Sequence, residues 1–169
     1  MNTTTRVLLA AALCATMAAC TKEVKPDPTP EPTPPPPPPV EPVDDGKYKL
    51  GDLDTDTCLR QRVVYFDFDQ SDVKAEFTAI MNCHAKYLRD RPSARISLEG
   101  HADERGTREY NLGLGERRGN SVSDALRANG GGAHQLNVVS YGEERPTCDS
   151  SEEGCWGKNR RVEIVYTAK

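Results

Sequence analysis

The sequence predicts an α/β (α+β) sandwich in which helices pack on one face of a mixed four-stranded sheet, in the order βαβαββ. Three observations point there. The short runs Val63–Phe68, Arg95–Glu99, Leu136–Tyr141 and Arg161–Thr167 have the length and apolar pattern of strands. Two longer segments, Asp72–Arg89 and about Arg108 to Ala128, repeat apolar residues at helical spacing. Strands alternating with helices, each apolar on one side, close into two layers around a single core. No internal repeat interrupts this order.

The 169 residues do not all belong to that core. Arg6 precedes an apolar run, Val7–Met17, which ends at Ala18-Ala19-Cys20. This is the pattern of a secretory signal segment over residues 1–19. A cysteine after two small residues resembles a bacterial lipobox, with Cys20 as the acylated residue. Met17 departs from the usual leucine, and Cys14 fits worse because Leu13 precedes it. By analogy with enterobacterial lipoprotein sorting, Thr21, which is not aspartate, favours the outer membrane, with the domain in the periplasm. Residues 20–56 then read as a linker, with an unbroken proline run from Pro34 to Pro39. Such a stretch favours polyproline II, and at ~3.1 Å per residue Pro26–Pro42 would reach roughly 50 Å. The folded domain is expected over residues 57–169. A formal net charge of −4 argues against a nucleic-acid partner. No apolar run is long enough to span a bilayer as a mature helix.

Each element has its local reason. Val63–Phe68 is apolar and aromatic. Val73, Phe77, Ile80, Met81, His84 and Leu88 recur on one helical face, with Ser71 or Asp72 as the expected cap. Arg91-Pro92 ends that helix, because the residue before proline avoids helical dihedrals. Ile96 and Leu98 alternate as in a half-buried strand. Asn129-Gly130-Gly131-Gly132 stops the second helix by offering positive-φ positions. In the last strand, Val162, Ile164 and Tyr166 point inward. His84 sits within an apolar stripe and reads as a satisfied core histidine.

The stretch from Gly100 to Val122 carries the functional signal. On its helix the apolar stripe holds Leu114, Val122, Ala125 and Leu126, and Asn111 and Arg118 fall inside it. Seven residues is two turns with only ~20° of drift, so the two polar residues stand in line. A core-side arginine needs an anionic partner, since an unpaired buried charge is very costly. Asp103 in the preceding turn is the candidate. A cationic fork, a carboxylate and a helix N-terminus converging on one spot suit a zwitterion with an amine and a carboxylate. The competing reading is structural: Asp103 and Arg118 pair with each other and fix the turn on the helix. Arg117 faces the polar side and is solvated.

Gly100–Val122, with the sequence GHADERGTREYNLGLGERRGNSV, resembles the signature of the OmpA-like C-terminal, peptidoglycan-binding domain family. Within that family it looks most like the peptidoglycan-associated lipoproteins of the Tol–Pal system. Val64–Asp69 with Ser71-Asp72, Ser140–Pro146 and Asn159–Glu163 extend the likeness over most of the chain from about Val63. The resemblance implies the same fold and a non-covalent tether between the outer membrane and peptidoglycan, acting especially in cell division. It implies that Asp103 holds the amine of meso-diaminopimelate and that Arg118 binds its carboxylate. Phe68, Asp69, Thr107, Asn111 and Leu114 match positions lining that site, and Asn159 and Arg160 could support it. The implied partners are the periplasmic TolB propeller and other Tol or OmpA-family proteins. The alternative is an OmpA-domain lipoprotein that anchors another envelope machine without a Tol partner. Gly119 stands where the family usually has alanine, and the triple glycine and extra cysteines are not general family features.

Catalysis and cofactors are not expected. Asp103 and Glu104 are neighbours in a tight turn, whereas a glycosidase needs carboxyl groups on opposite sides of the scissile bond. No nucleophile-elbow, metalloprotease or P-loop pattern occurs. His101, beside the site, reads as a hydrogen-bonded structural residue at a strand end. Cys58, Cys83, Cys148 and Cys155 remain after processing, and four cysteines allow three pairings. Cys148–Cys155 is preferred because it closes a short polar loop, and Cys58–Cys83 would tie the N-terminal segment to the first helix. Zinc is the weaker alternative, for want of a Cys-x-x-Cys pair or spaced histidines.

Overall fold

The computed structural model describes residues 45–169. The signal segment, Cys20 and the proline run lie outside the described residues. Helix α1 (Asp52–Thr55) is followed by β1 (Val63–Tyr65), α2 (Thr78–Asp90), β2 (Arg95–His101), α3 (Arg108–Ala128), β3 (Leu136–Gly142), α4 (Glu153–Asn159) and β4 (Arg161–Ala168). The strands form one mixed sheet in the order β1-β4-β2-β3. β4 runs antiparallel to both β1 and β2, and β2 runs parallel to β3.

Register explains the core. Leu98 stands opposite Ile164 and beside Val138, and Gly100 opposite Val162 and beside Ser140. These positions share one face of the pleat. With Val64, Ile96, Leu98, Val162 and Ile164 they meet Ile80, Met81, Ala85 and Leu88 of α2 and Val122 and Leu126 of α3. The expected architecture is therefore present, with helices on one face of a mixed four-stranded sheet.

Helix α3 lies unusually close to the sheet. A Cβ added at Gly100 would sit 2.0 Å from the Gly115 carbonyl oxygen, and one at Gly119 would sit 2.6 Å from a Val138 methyl. Gly119 is thus a spacing residue, and the helix propensity it forfeits is exchanged for this approach.

The local corrections concern the ends of elements. From β1 onward the order is βαβαβαβ, because the short helix α4 intervenes where the sequence showed only a polar loop, and the short helix α1 precedes β1. β1 ends at Tyr65, not Phe68: the chain turns at Asp67–Gln70, where Asp69 adopts φ 55°. The first long helix begins later than Asp72. Lys74 is still extended, a 3₁₀ turn covers Ala75–Phe77, and neither Ser71 nor Asp72 caps it. α3 has the expected bounds, with the Thr107 hydroxyl accepting the Tyr110 N–H at 3.2 Å. Gly130, at φ 92°, provides the positive-φ stop.

The N-terminal segment is fastened to the core. Leu53 is fully buried, the Tyr48 N–H donates to Asp90 at 2.9 Å, and a Cys58–Cys83 disulfide joins the segment to α2. Cys148–Cys155 is the second disulfide. All four cysteines are therefore consumed in bonds to one another and are not zinc ligands.

His84 is fully buried, with Nδ1 2.7 Å from the Tyr166 hydroxyl and Nε2 3.0 Å from the Gln61 carbonyl. His101 departs from expectation. It is buried at the end of β2 against the Tyr141 ring, but neither ring nitrogen has a hydrogen-bond partner among the described residues. Glu163 approaches its Nε2 only to 4.0 Å.

Two predictions follow from this packing. Gly100→Ala should destabilise the domain by about 2 kcal/mol or more, because the added methyl meets backbone that cannot yield; urea unfolding measures it. Burial lowers the pKa of both His84 and His101 from 6.5 to about 4. Below pH 6.5 the unfolded chain therefore takes up protons that the folded chain refuses. Stability should fall as pH drops from 6.5 toward 4, by up to ~1.4 kcal/mol per pH unit per histidine. Urea midpoints at pH 7 and pH 4.5 test this, and equal midpoints would refute it.

Candidate functional site

A cleft of about 180 Å³ opens where the ends of β1 and β2 meet the first turns of α3. Phe68, Asp69, Asp103, Asn111, Leu114 and Arg118 line it, joined by Arg105, Gly106 and Tyr110. Six of the seven residues marked from the sequence thus stand around one cavity. Thr107 is the exception: its hydroxyl caps α3 and it does not line the cleft.

Arg118 is buried on the core side of α3, but its partners are not the expected carboxylate. Its Nε donates to the Gln70 carbonyl at 2.8 Å, Nη1 to His101 at 2.8 Å and Nη2 to Asp67 at 3.1 Å. Backbone carbonyls, which carry no net charge, replace the anion. Burial lowers its pKa to about 10, so the guanidinium stays charged at neutral pH. A guanidinium has five N–H donors. Two remain without a partner among the described residues. Phe66 lies under the group, 5.3 Å from its centre.

Asp103 is paired elsewhere. Its Oδ1 accepts the Arg105 backbone N–H and Nε, each at 3.1 Å. Its Oδ2 accepts Arg105 Nη2 at 2.7 Å and Arg160 Nη1 at 3.3 Å. Burial pushes this carboxyl up, but the bonds from Arg105 and Arg160 outweigh it and hold the pKa below the ordinary range. A direct Asp103–Arg118 ion pair is therefore not the arrangement found.

The surrounding residues hold these groups in place. Arg160 is buried, and it also donates to the Phe66 carbonyl at 3.0 Å and to Glu153 at 2.5 Å. Asn159 fixes the loop behind it, accepting the N–H groups of Thr147 and Cys148 and donating to the Cys148 carbonyl. Asn111 donates to the Asp103 carbonyl at 3.1 Å and to Glu143, while its own carbonyl oxygen is buried without a partner among the described residues. Gly106, at φ 114°, provides the bend that leads from Asp103 into α3.

At the mouth, Phe68 and Tyr110 are about half exposed, and the Tyr110 hydroxyl donates to Asp69. The Arg105 guanidinium lies 4.0 Å from the centre of the Phe68 ring and 4.1 Å from that of Trp156. Trp156 stands on α4, tethered by the Cys148–Cys155 disulfide, and its indole N–H donates to Glu104 at 2.9 Å. Arg105, Tyr110, Glu153 and Trp156 were not singled out from the sequence. Arg105 stands two residues after Asp103, a spacing that permits a local ion pair. The sole tryptophan beside a cysteine was the other available sign.

The arrangement offers two remaining donors on a fixed cation, a caged carboxylate and an aromatic rim. It suits recognition of a small group carrying both charges.

Arg118→Lys should cost about 2 kcal/mol or more of stability, because an ammonium cannot reach three diverging carbonyls and leaves buried acceptors unmet. Thermal unfolding measures it, and an unchanged midpoint would show that the carbonyl contacts are dispensable.

Comparison with known proteins identifies the family of the chain. Residues 65–160 match the OmpA family. The peptidoglycan-associated lipoprotein of Pasteurella multocida is 36% identical over 98% of this chain and 100% of its own length. That of Pseudomonas aeruginosa is 46% identical over 68% of each chain. Among solved structures, the crystal structure of the peptidoglycan-associated lipoprotein from Burkholderia pseudomallei is 42% identical. It superposes with a TM-score of 0.67, covering 68% of this chain and 98% of that one.

Proposed function

Because this chain belongs to the OmpA family, and within it to the peptidoglycan-associated lipoproteins, we propose that it binds peptidoglycan non-covalently through the diaminopimelate of the stem peptide. One observation carries the reading: Asp103 and a fully buried Arg118 with two remaining donors line the same cleft. Arg118 would hold a carboxylate through those donors, by charge-assisted hydrogen bonds. Asp103 would hold the amine. Phe68, Leu114 and Tyr110 would cover the methylenes between, and Asn111 has a carbonyl oxygen to accept an N–H. The cleft, about 180 Å³, would take the end of one amino acid.

The relatives are named for an association with peptidoglycan and not for a reaction, and binding rather than catalysis is the activity assigned here. Acylated at Cys20, the chain would sit on the periplasmic side of the outer membrane. Several acyl chains, at ~0.8 kcal/mol per buried CH₂, anchor stably where one does not. The proline-rich segment would let the domain reach the wall. A tether of this kind would serve envelope integrity and division. A TolB-type propeller is the partner proposed for the aromatic rim at Phe68 and Tyr110, in competition with the wall.

Residues 45–169 contain the whole described core, all four strands and both disulfides. This segment should co-sediment with purified sacculi and bind a diaminopimelate-containing stem peptide. Asp103→Asn, which keeps the shape and removes the charge, should weaken both at least tenfold. Wild-type protein that ignores both ligands, or a variant that binds equally well, would overturn the assignment.

A further inference from the structure

In this structure the seat for the ligand's amine is occupied by the protein's own Arg105. A carboxylate offers about four lone-pair positions. Asp103 fills them with the Arg105 backbone N–H, Nε and Nη2 and with Arg160 Nη1. A further donor has no place until one of these leaves. The backbone N–H is fixed by the turn. Arg160 is buried and anchored on Phe66 and Glu153 as well. The Arg105 side chain is different: 30% of it is exposed, and it lies at the mouth between two aromatic faces. It also has an alternative partner, since Glu153 Oε2 is 3.7 Å from its Nη2 and largely exposed.

We infer that Arg105 is a displaceable plug, which mimics the ligand's cation on Asp103 and must swing out before the amine can bind. This inference rests on the ligand reading of the preceding section. It gives the cleft a selectivity that shape alone would not. A ligand carrying only carboxylates could approach Arg118, but it could not compete for Asp103. A ligand with an ammonium group exchanges one charge-assisted contact on Asp103 for another, while Arg105 passes to Glu153. The cost of removing Arg105 from the Phe68–Trp156 sandwich falls only on a ligand that takes its place on Asp103, and a ligand without the amine leaves Arg105 seated and gains nothing there.

Displacement has a built-in reporter, because Trp156 is the sole tryptophan of the chain and Arg105 lies against its ring. The experiment titrates residues 45–169, disulfides intact, with a diaminopimelate stem peptide and with the same peptide acetylated on its free side-chain amine. Calorimetry and tryptophan emission are read together. In the wild type, the free-amine peptide should shift Trp156 emission with the same midpoint as the heat, and the acetylated peptide should not. Arg105→Ala should bind the free-amine peptide at least threefold more tightly. Its emission should already be shifted, with little further change on binding.

Wild-type binding without any emission change, or weaker or equal binding by Arg105→Ala, would overturn the plug while leaving the ligand assignment standing. Heat from neither protein with either peptide would overturn the ligand assignment, and the plug with it. The wild-type emission arm needs no variant, so the test does not depend on how Arg105→Ala folds.

Discussion

Arg118 is the constraint around which this end of the domain is built. Its guanidinium reaches carbonyls at Asp67, Gln70 and His101, which belong to the turn after β1 and to the end of β2. Removing a full charge from water is costly, and three directed carbonyl dipoles offset it. The result is reciprocal. The arginine keeps its charge in the interior, and the carbonyls of an irregular turn gain the donors that a sheet would have supplied. Because the turn is held this way, Phe68 and Asp69 face the cleft instead of extending β1.

The close seating of α3 makes that reach possible. Gly100 faces Gly115 with no room for a side chain between them, and Gly119 admits a methyl of Val138. Backbone therefore packs on backbone near the C-terminal end of β2. Asn111 and Arg118, one turn to either side of Gly115, are carried to the rim of the sheet. The same approach that weakens α3 as an isolated helix positions the polar residues on its inner stripe.

The opposite wall comes from the segment between β3 and β4. α4 spans only Glu153–Asn159, too short to be stable alone. The Cys148–Cys155 disulfide and the contacts of Asn159 hold it, and it delivers Trp156 and Glu153 to Arg105. This wall depends on the Cys148–Cys155 disulfide, which holds the aromatic clamp on Arg105 in place.

The sequence by itself determined the layers, the four strands and two long helices to within a few residues, and most of the residues that gather at the cleft. These follow from local periodicity and from short-range chemistry, as in the glycine stop after α3. Asn111 and Arg118 were legible because a polar residue within an apolar stripe stands out against its period. The tertiary structure decided who pairs with whom. Arg118 took carbonyls some 17, 48 and 51 residues away, and Asp103 took Arg105 and Arg160 in place of Arg118. It also decided that His101 is packed without a ring hydrogen bond, that Ser71 and Asp72 cap nothing, and that a polar loop folds into α4. Hydrogen bonds are short and directional, so their partners depend on positions to within an ångström. Periodicity names the face a side chain occupies, but only the packed chain fixes the distance to its neighbour.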